Sequence, residues 1–343
     1  MLVYLKPFSS KLFFDNNIFY KNIGVNPFIG LREFLKKDGI LINTLDLKDK
    51  EGDIYIFADI PYPWEIKFWL EMLKHPSKNI LYVFESPIIN PFNHWKIFHK
   101  YFRKIYTWSD SFLTIEDNGE KYNKFFIPKL EIGLNNYREN NHKVKRKFLG
   151  MLLSKKSSPL VLSLMNIYRQ NNYKKRIDIV EYFETHKNID FTLLGRGWDK
   201  RDPFSFKENI FGFRKYKVYK GEIPENKKIE VLSNFKYVFC IENAIAPGYI
   251  TEKLFDCLKA RSVPIYSGAA NISEFIPESC FINLKYYKSM SDLLDYLFSI
   301  SEKDYMKRLQ SIDLFLKQKH ILEKWFESDF RKQLIKNIKF KYK

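Results

Sequence analysis

The sequence has few cysteines and no long apolar stretch. Its three cysteines, Cys240, Cys257 and Cys280, show no Cys-X-X-Cys spacing, and an odd number cannot all pair in disulfides. We interpret them as reduced core residues of a cytosolic protein. No run approaches the roughly 18 apolar residues of a membrane-spanning helix. The opening residues 1–14 are too short and too polar for a cleaved signal peptide, so we expect a soluble or peripheral protein.

Several nucleotide and metal motifs are also absent from the sequence. The chain contains neither the phosphate-binding loop GxxxxGK[ST] nor the dinucleotide fingerprint GxGxxG. It has no Asp-X-Asp, a common device for holding a metal on a sugar nucleotide, and no HExxH zinc motif. His94 and His99 have the wrong spacing for one helix face. We therefore expect chemistry that needs no obligatory metal.

The charge of the chain is strongly positive. A formal charge of +18, from 58 Lys and Arg against 40 Asp and Glu, indicates anionic partners such as nucleotides, nucleic acid or a membrane surface. Solubility alone is the alternative explanation. A nucleic-acid-binding protein would concentrate basic residues on one face among exposed aromatics. Most aromatics here lie in apolar runs and the basic residues are spread along the chain, so we expect no nucleic-acid partner.

The first half of the chain alternates between strand patterns and helical periodicity. Strands are predicted at 40–46, 53–59, 79–85 and 104–109, and helices at 28–38, 63–75 and 94–102. Alternation of this kind indicates βαβ units and a parallel sheet.

The second half alternates again after a polar stretch. Strands are predicted at 159–164, 190–195, 235–241, 263–268 and 280–284, and helices at 172–185, 251–260 and 290–300. We interpret the Asn- and Lys-rich segment 134–158 as a domain boundary, with a long loop inside one domain as the alternative. The fold class is therefore α/β, with two Rossmann-like domains facing each other across a cleft. We expect an N-terminal domain at 1–150, a C-terminal domain at 151–310 and a helical basic tail at 311–343.

The last residues of the chain, 329–343, form a basic amphipathic pattern. They contain six Lys or Arg and one Asp, with Phe330, Leu334 and Ile338 recurring every four residues. Such a helix suits an anionic membrane surface. Packing of its apolar face on the protein itself, with a solvated basic face, is the alternative.

Two carboxylates stand directly after predicted strands. Glu85 follows ILYVF, and Glu242 follows YVFCI. Open α/β sheets bind ligands beyond the carboxyl ends of their strands. Apolar surroundings at such a position raise the pKa of a carboxylate towards values useful in a general base. The alternative for each residue is an ordinary solvated loop carboxylate.

A Gly-containing turn follows Glu242, and the next predicted helix opens with Glu252 and Lys253. A lysine in the first turn works against the helix dipole, whereas the free N–H groups of such a terminus bind anions. The pattern predicts a nucleotide diphosphate here, with Lys253 on the phosphates and Glu252 on the ribose hydroxyls. A diphosphate that leaves without a metal needs further fixed cations. Arg176, in the predicted helix 172–185, is a second candidate, and a surface arginine is the alternative.

The segment FCIENAIAPGYITEKLFDCLKARSVPIYSG, at 239–268, resembles the signature of the α1,3-fucosyltransferases, glycosyltransferase family 10. The shared pattern is an apolar strand, Glu-Asn, Gly-Tyr-X-Thr-Glu-Lys and, further on, Pro-Ile-Tyr-X-Gly. The segments SEFIPESCFINL, LLGRGWD and FESPIINPFN are also similar to parts of the family pattern. The resemblance is good over 158–285 and thin over 1–78.

The resemblance implies a GT-B fold and inverting transfer of L-fucose from GDP-β-L-fucose, without an obligatory metal. Matched by motif, Glu85 is the general base, and Lys253 and Arg176 are the cations on the diphosphate. Arg196, in GRGWD, is a rival for the role of Arg176. The other donor-site residues that the motif implies are Asn243, Tyr249, Thr251, Glu252 and Glu242. Of these, Glu242 is expected to contact the donor sugar.

Donor and acceptor are less closely defined. Ser267 stands where relatives often carry a larger residue, so another GDP-sugar, such as a deoxy or amino sugar, is the main alternative donor. We expect a saccharide or glycolipid acceptor, for example O3 of GlcNAc in lipopolysaccharide or O-antigen. The sequence lacks the membrane anchor of animal relatives, which suits a cytoplasmic enzyme peripheral on the inner face of the membrane through 329–343. The intact Glu85, Glu252 and Lys253 argue against an inactive scaffold.

Overall fold

The computed structural model describes residues 1–21, 27–113, 121–128, 146–156, 171–186, 188–203 and 205–339. The chain divides into two compact units, one formed by Met1–Ile132 with Leu322–Lys343 and the other by Gly133–Ile321. Each unit contains a sheet of parallel strands, which confirms the α/β fold class. The strand predicted at 159–164 lies outside the described residues.

The N-terminal unit is built on a six-stranded sheet in the order β2-β1-β3-β4-β5-β6. Its strands are β1 (Leu2–Lys6), β2 (Leu41–Thr44), β3 (Ile54–Ala58), β4 (Asn79–Val83), β5 (Lys104–Thr107) and β6 (Tyr122–Lys124). The first helices of the chain are α1 (Leu31–Lys36), α2 (Ile66–Lys74), α3 (Lys96–His99) and α4 (Asp110–Leu113). Strands β3 and β4 are buried along their whole length, as parallel strands covered on both faces are.

The C-terminal unit is built on a five-stranded sheet in the order β11-β10-β9-β7-β8. Its strands are β7 (Lys147–Leu152), β8 (Phe191–Leu194), β9 (Phe235–Ile241), β10 (Val263–Ser267) and β11 (Ile282–Asn283). The helices that follow are α5 (Tyr173–Thr185), α6 (Phe206–Phe211), α7 (Lys228–Leu232), α8 (Glu252–Lys259), α9 (Met290–Ser299), α10 (Glu302–Lys317) and α11 (Lys319–Leu322).

Strand β7 lies inside the segment 134–158, which was interpreted from the sequence as a domain boundary. It pairs with both β8 and β9 in the sheet, and the division between the two units falls just before that segment, after Ile132. A Cβ added to Gly150 would stand 2.8 Å from the ring of Phe235, so the strand carries a glycine where the neighbouring ring packs against its backbone. The Lys-rich residues before the strand and the glycine within it hid its apolar pattern.

The C-terminal helix α12 (Glu327–Lys339) packs its apolar face inside the N-terminal unit. Phe330, Leu334 and Ile338 are buried, and the ring of Phe330 lies 5.4 Å from the ring of Tyr82. Asn337 Nδ2 donates to the hydroxyl of Tyr82 (2.9 Å). The apolar stripe is therefore used within the protein, as the alternative interpretation of the tail expected. None of the described helices has the length and apolar character needed to cross a membrane.

Candidate functional site

A structured loop joins β9 to α8 and carries most of the predicted site residues. Glu242 follows β9 directly. Gly248 has a φ of +82°, a region that favours glycine, and its N–H donates to Asn271 Oδ1 (2.9 Å). Tyr249 is buried rather than exposed on the loop. Thr251 caps α8, its side chain accepting from the backbone N–H two residues further on (3.5 Å).

The carboxylate of Glu242 is fully buried and holds the start of α8. Its Oε1 accepts from the backbone N–H of Thr251 (2.9 Å), and its Oε2 accepts from the Thr251 hydroxyl (2.7 Å). Oε2 also lies 3.3 Å from Lys253 Nζ. Because these oxygens are used inside the protein, Glu242 positions Thr251 and Lys253. The sugar contact predicted for Glu242 would require these bonds to open.

Lys253 is surrounded by three oxygens of its own unit. Its Nζ lies 3.1 Å from Thr251 Oγ1, 3.3 Å from Glu242 Oε2 and 3.3 Å from Glu252 Oε1. Burial alone would lower the pKa of Lys253, but the two carboxylates outweigh it and the pKa is raised. The side chain keeps 16% of its surface exposed. The conflict between Lys253 and the helix dipole is therefore already relieved by protein carboxylates.

Arg176 stands in the first turn of α5 and ties together the ends of two strands. One terminal nitrogen donates to the carbonyl of Ile241 (2.8 Å) and to Asn243 Oδ1 (2.8 Å). The other donates to the carbonyl of Ser154 (3.3 Å). Burial lowers the pKa of Arg176, and its Nε has no hydrogen-bond partner among the described residues. The structure brings two predicted site residues together here, with Arg176 positioning Asn243.

Lys175, which was not predicted from the sequence, is a further cation at the same edge of the sheet. Its Nζ lies 3.0 Å from Ser267 Oγ, at the end of β10. The side chain of Asn172 donates to the carbonyl of Ser267 (3.2 Å). Burial lowers the pKa of Lys175, and the charge of Asp178 acts in the opposite direction. The signal in the sequence was the pair of lysines before Arg176, which looked like an ordinary basic surface.

A cavity of 260 Å³ opens beside the first turn of α8, beyond the carboxyl ends of β7 and β8. It is lined by Leu152, Leu153, Ser154, Gly195, Arg196, Ile223, Pro224, Lys228, Glu252 and Lys253. Arg196, the rival for the role of Arg176, is 73% exposed, whereas Arg176 does not line the cavity. Lys228 was also not predicted from the sequence, and its Nζ lies 2.6 Å from Asp256 Oδ2. The lining carries three cations and one carboxylate. This combination suits an anionic ligand that also carries uncharged polar groups.

Glu85 lies in the N-terminal unit, two residues after β4 and therefore beyond the carboxyl end of that strand. Its backbone N–H donates to Asp59 Oδ1 (3.1 Å), and its carbonyl accepts from His94 Nε2 (3.1 Å). Asp59 also accepts from the backbone N–H of Phe84 (2.7 Å). These contacts fix the backbone that presents the Glu85 side chain. Asp59 and His94 were not predicted, because their role depends on the turn after β4.

In the part of the chain that the structure describes, no group of three or more His, Cys, Asp or Glu side chains is placed to hold a metal ion. Metal independence of the reaction stays a prediction.

Comparison with known proteins gives a family for the C-terminal part of the chain. Residues 153–310 match the family model described as "Glycosyltransferase family 10 (fucosyltransferase) C-term". The chain is similar to the alpha-(1,4)-fucosyltransferase of Arabidopsis thaliana, with 42% identity over 66 residues, or 19% of this chain and 16% of that protein. Across the curated relatives it matches, the chain spans between 16% and 26% of their length.

Solved structures resemble nearly the full length of the chain. An α1,3-fucosyltransferase with GDP has a TM-score of 0.50 and 16% identity, covering 95% of this chain and 92% of that one. The DNA-modifying β-glucosyltransferase, studied with and without uridine diphosphoglucose, has a TM-score of 0.53 and 12% identity, covering 97% and 99%. At these identities the likeness shows the fold, which is GT-B. The signature at 239–268 lies inside the matched residues 153–310, so this part of the chain belongs to glycosyltransferase family 10, the fucosyltransferases.

Proposed function

We propose that this protein transfers L-fucose from GDP-β-L-fucose to a hydroxyl group of a saccharide, with inversion at the anomeric carbon. The observation that carries the proposal is the cavity beside α8, where cationic side chains meet at the carboxyl edge of a parallel sheet. Such edges and helix N-termini favour nucleotide phosphates. The match of residues 153–310 to the model of glycosyltransferase family 10 supports fucose as the transferred sugar.

The residues of the proposed donor site differ in exposure, and we assign them different roles accordingly. Lys253 and Arg196 line the cavity and are the cations that we assign to the diphosphate. Glu252, which also lines it, is assigned to the ribose hydroxyls. Arg176 is 2% exposed, so we assign it to positioning Asn243 and to the positive potential behind the phosphates. Direct contact between Arg176 and a phosphate would require this buried side chain to become accessible.

The proposed chemistry is a single displacement. The acceptor oxygen attacks C1 of fucose while the bond between C1 and the GDP oxygen breaks. Glu85 takes the proton of the attacking hydroxyl as general base. The negative charge that develops on GDP is stabilised by Lys253 and Arg196 as fixed cations. Every residue in this scheme is supplied by the chain, so we propose that no metal is required.

The acceptor is proposed from chemistry that the family shares. The Arabidopsis relative is named for an α-(1,4) linkage and the solved structure for an α1,3 linkage, so we leave the linkage position open. A saccharide or glycolipid, such as GlcNAc in lipopolysaccharide or O-antigen, is the proposed acceptor. Contact of residues 329–343 with an anionic membrane from the cytoplasmic side stays part of the proposal. It would have to use the charged face of α12, because the apolar face is buried.

The donor is tested by calorimetric titration of the full chain with GDP, UDP and ADP, in the presence of EDTA. We expect GDP to bind and the other two to bind at least about tenfold more weakly, since one lost base contact costs about 1.4 kcal/mol or more. We also expect Arg196→Gln to weaken the binding of GDP. Equal binding of all three nucleotides, or of none, would contradict the proposal.

The transferred sugar is tested by a transfer assay with GDP-fucose against other GDP-sugars. Ser267 is a small side chain at the end of β10, and this observation favours a second candidate, transfer of a different deoxy or amino sugar. We expect GDP-fucose to be the preferred donor. Faster transfer from another GDP-sugar would mean that fucose is not the transferred sugar, while the proposed donor site would still stand.

The role of Glu85 is tested with Glu85→Gln. We expect transfer to fall by about 10²–10⁴-fold, the usual contribution of a general base, while GDP affinity stays unchanged because Glu85 belongs to the other unit. The matched control is Glu33→Gln, which changes an exposed carboxylate of α1 in the same unit. A loss of GDP affinity in Glu85→Gln, or equal activity in both variants, would argue against the base role.

A further inference from the structure

A second cavity lies entirely within the N-terminal unit, beside β5, β6 and α12, and has a volume of 480 Å³. It is lined by Arg103, Lys104, Tyr106, Asn123, Lys124, Gln333, Lys336 and Asn337. Four of these described lining residues are cationic, three carry amides and one carries a phenol; none is a carboxylate. We call this cavity the basic pocket.

The fold brings the lining residues together from three elements. Tyr106 and Asn123 are paired across β5 and β6, so their side chains share one face of the sheet. Helix α12 is held over that face by the hydrogen bond between Asn337 and Tyr82, and Tyr82 stacks on Tyr106 at 4.6 Å. The polar side of α12, which the sequence presented as a solvated basic face, therefore forms one wall of the pocket.

Arg103 and Lys104 of the basic pocket lie at the edge of the sheet opposite the one that carries Glu85. Arg103 immediately precedes β5, whereas Glu85 follows β4. Because β4 and β5 are parallel, the amino end of one strand and the carboxyl end of the other lie at opposite edges of the sheet. The pocket is thus not explained by the proposed transfer reaction.

Among the described residues, some polar groups of the basic pocket already have protein partners. Lys124 forms an ion pair with Asp110 and donates to the carbonyl of Trp108 (3.0 Å). Gln333 donates to Asp329 (2.7 Å). The Nε of Arg103, by contrast, is buried and has no hydrogen-bond partner among the described residues. A buried donor without a partner is costly, as is the grouping of like charges, and an anion in the pocket would relieve both.

We propose that the basic pocket binds a phosphate group carried by a larger molecule. A guanidinium and several ammonium groups match the oxygens of a phosphate, and the amides of Asn123, Gln333 and Asn337 supply further polar contacts. The volume of 480 Å³ lies in the range of sites for whole small molecules. It therefore has room for the group to which the phosphate is attached, such as a phosphorylated saccharide or a lipid headgroup.

The test uses the full chain and inorganic pyrophosphate as the probe, measured by calorimetry at low ionic strength. The variant Arg103→Gln/Lys336→Gln removes two charges from the lining. The matched control, Lys36→Gln/Lys37→Gln, removes two charges at the exposed end of α1 in the same unit. Lys253→Ala serves as a second control, because the proposed donor site could bind pyrophosphate independently.

We expect the pocket variant to lose at least about tenfold in pyrophosphate affinity, since each charge-assisted hydrogen bond contributes on this order. The α1 control and Lys253→Ala should keep the pocket's binding. Arg103→Lys, which keeps the charge, should retain most of the affinity and show that the fold is intact. Absence of pyrophosphate binding that depends on the pocket, or an equal loss in the α1 control, would overturn the proposal.

Two further arms identify the source of the phosphate. Vesicles of phosphatidylglycerol in phosphatidylcholine are compared with vesicles of phosphatidylcholine alone in a sedimentation assay. Binding to the anionic vesicles that the pocket variant loses would assign the site to a lipid headgroup. Pyrophosphate binding in solution, with no such difference between the vesicles, would assign it to a soluble phosphorylated compound.

Discussion

The most discriminating prediction concerns the buried carboxylate of Glu242. The structure uses it to hold Thr251 and Lys253 at the start of α8, whereas the sequence suggested contact with the donor sugar. Glu242→Gln keeps the size of the side chain and removes its charge. A positioning role predicts a loss of stability, and a role in sugar contact predicts a loss of donor affinity alone.

The magnitude follows from the contacts. Removing one partner of a buried ion pair costs about 3–5 kcal/mol, and a hydrogen bond to a charged group is worth about 1.5–3 kcal/mol. Lys253 keeps some exposure and a second carboxylate, Glu252, so we expect a cost of about 2–3 kcal/mol. In a unit of this size that lowers Tm by about 4–12 °C.

The assay is thermal unfolding followed by circular dichroism, with Glu242→Gln, Lys253→Met and the double variant in one cycle. Residues in direct contact should show a coupling energy of about 1–3 kcal/mol. Additive effects, or an unchanged Tm with weakened GDP-fucose binding, would refute the positioning role.

The pH dependence of the same pair can be worked out from Lys253. Its pKa is raised above the ordinary value of 10.5. The stability linked to this shift is fully present below that ordinary value and is lost only as the pH rises through the folded-state pKa. As far as Lys253 is concerned, the stability difference between wild type and Glu242→Gln should therefore be constant from about pH 6 to 9. A difference that falls within this range would contradict a charged Lys253.

Three further predictions concern stability. Burial lowers the pKa of His94 to about 4 from 6.5, so protons bind better to the unfolded chain and stability should fall as the pH drops between these values. The slope should reach at most about 1.4 kcal/mol per pH unit and be flatter in His94→Gln, as measured by urea unfolding at several pH values. Gly195→Ala, at φ +121° with the new Cβ against the carbonyl oxygen of Leu153, should destabilise far more than Gly39→Ala, at φ +70° with nothing within 4 Å. The latter should cost about 1–2 kcal/mol, and similar costs would contradict the close approach. Phe330→Ala should cost about 3–5 kcal/mol, whereas the exposed Lys332→Ala should stay within about 0.5 kcal/mol; equal melting temperatures would mean that the apolar face of α12 is not packed.

Much of the sheet structure could be predicted because apolar runs and their turn signals are local. The predictions at 53–59, 79–85 and 235–241 match β3, β4 and β9 closely. Strands β1 and β6 were missed; β6 has only three residues, which is too short to give a pattern. Strand β7 was missed because polar residues dominate the segment around it, and its place in the sheet depends on pairing with distant strands.

The site was predictable to the extent that its residues are adjacent in the chain. The order of strand, turn and helix placed Glu242, Thr251 and Lys253 together, and the signature lies in the residues that match the family model. Lys228 and Lys175 were missed because what distinguishes them from other lysines is their place at the carboxyl edge of the sheet.

The sequence by itself determined the alternation of strands and helices, the glycine-bearing turn before α8 and the residue types at that helix start, because each depends on neighbours in the chain. Only the tertiary structure decided which charges are paired. It placed a buried carboxylate against Lys253, although the sequence had assigned that charge to a ligand. It also turned the basic side of α12 into a wall of the basic pocket. The physical reason is that burial and partnership, which decide the effect of a charge, arise from residues distant in sequence.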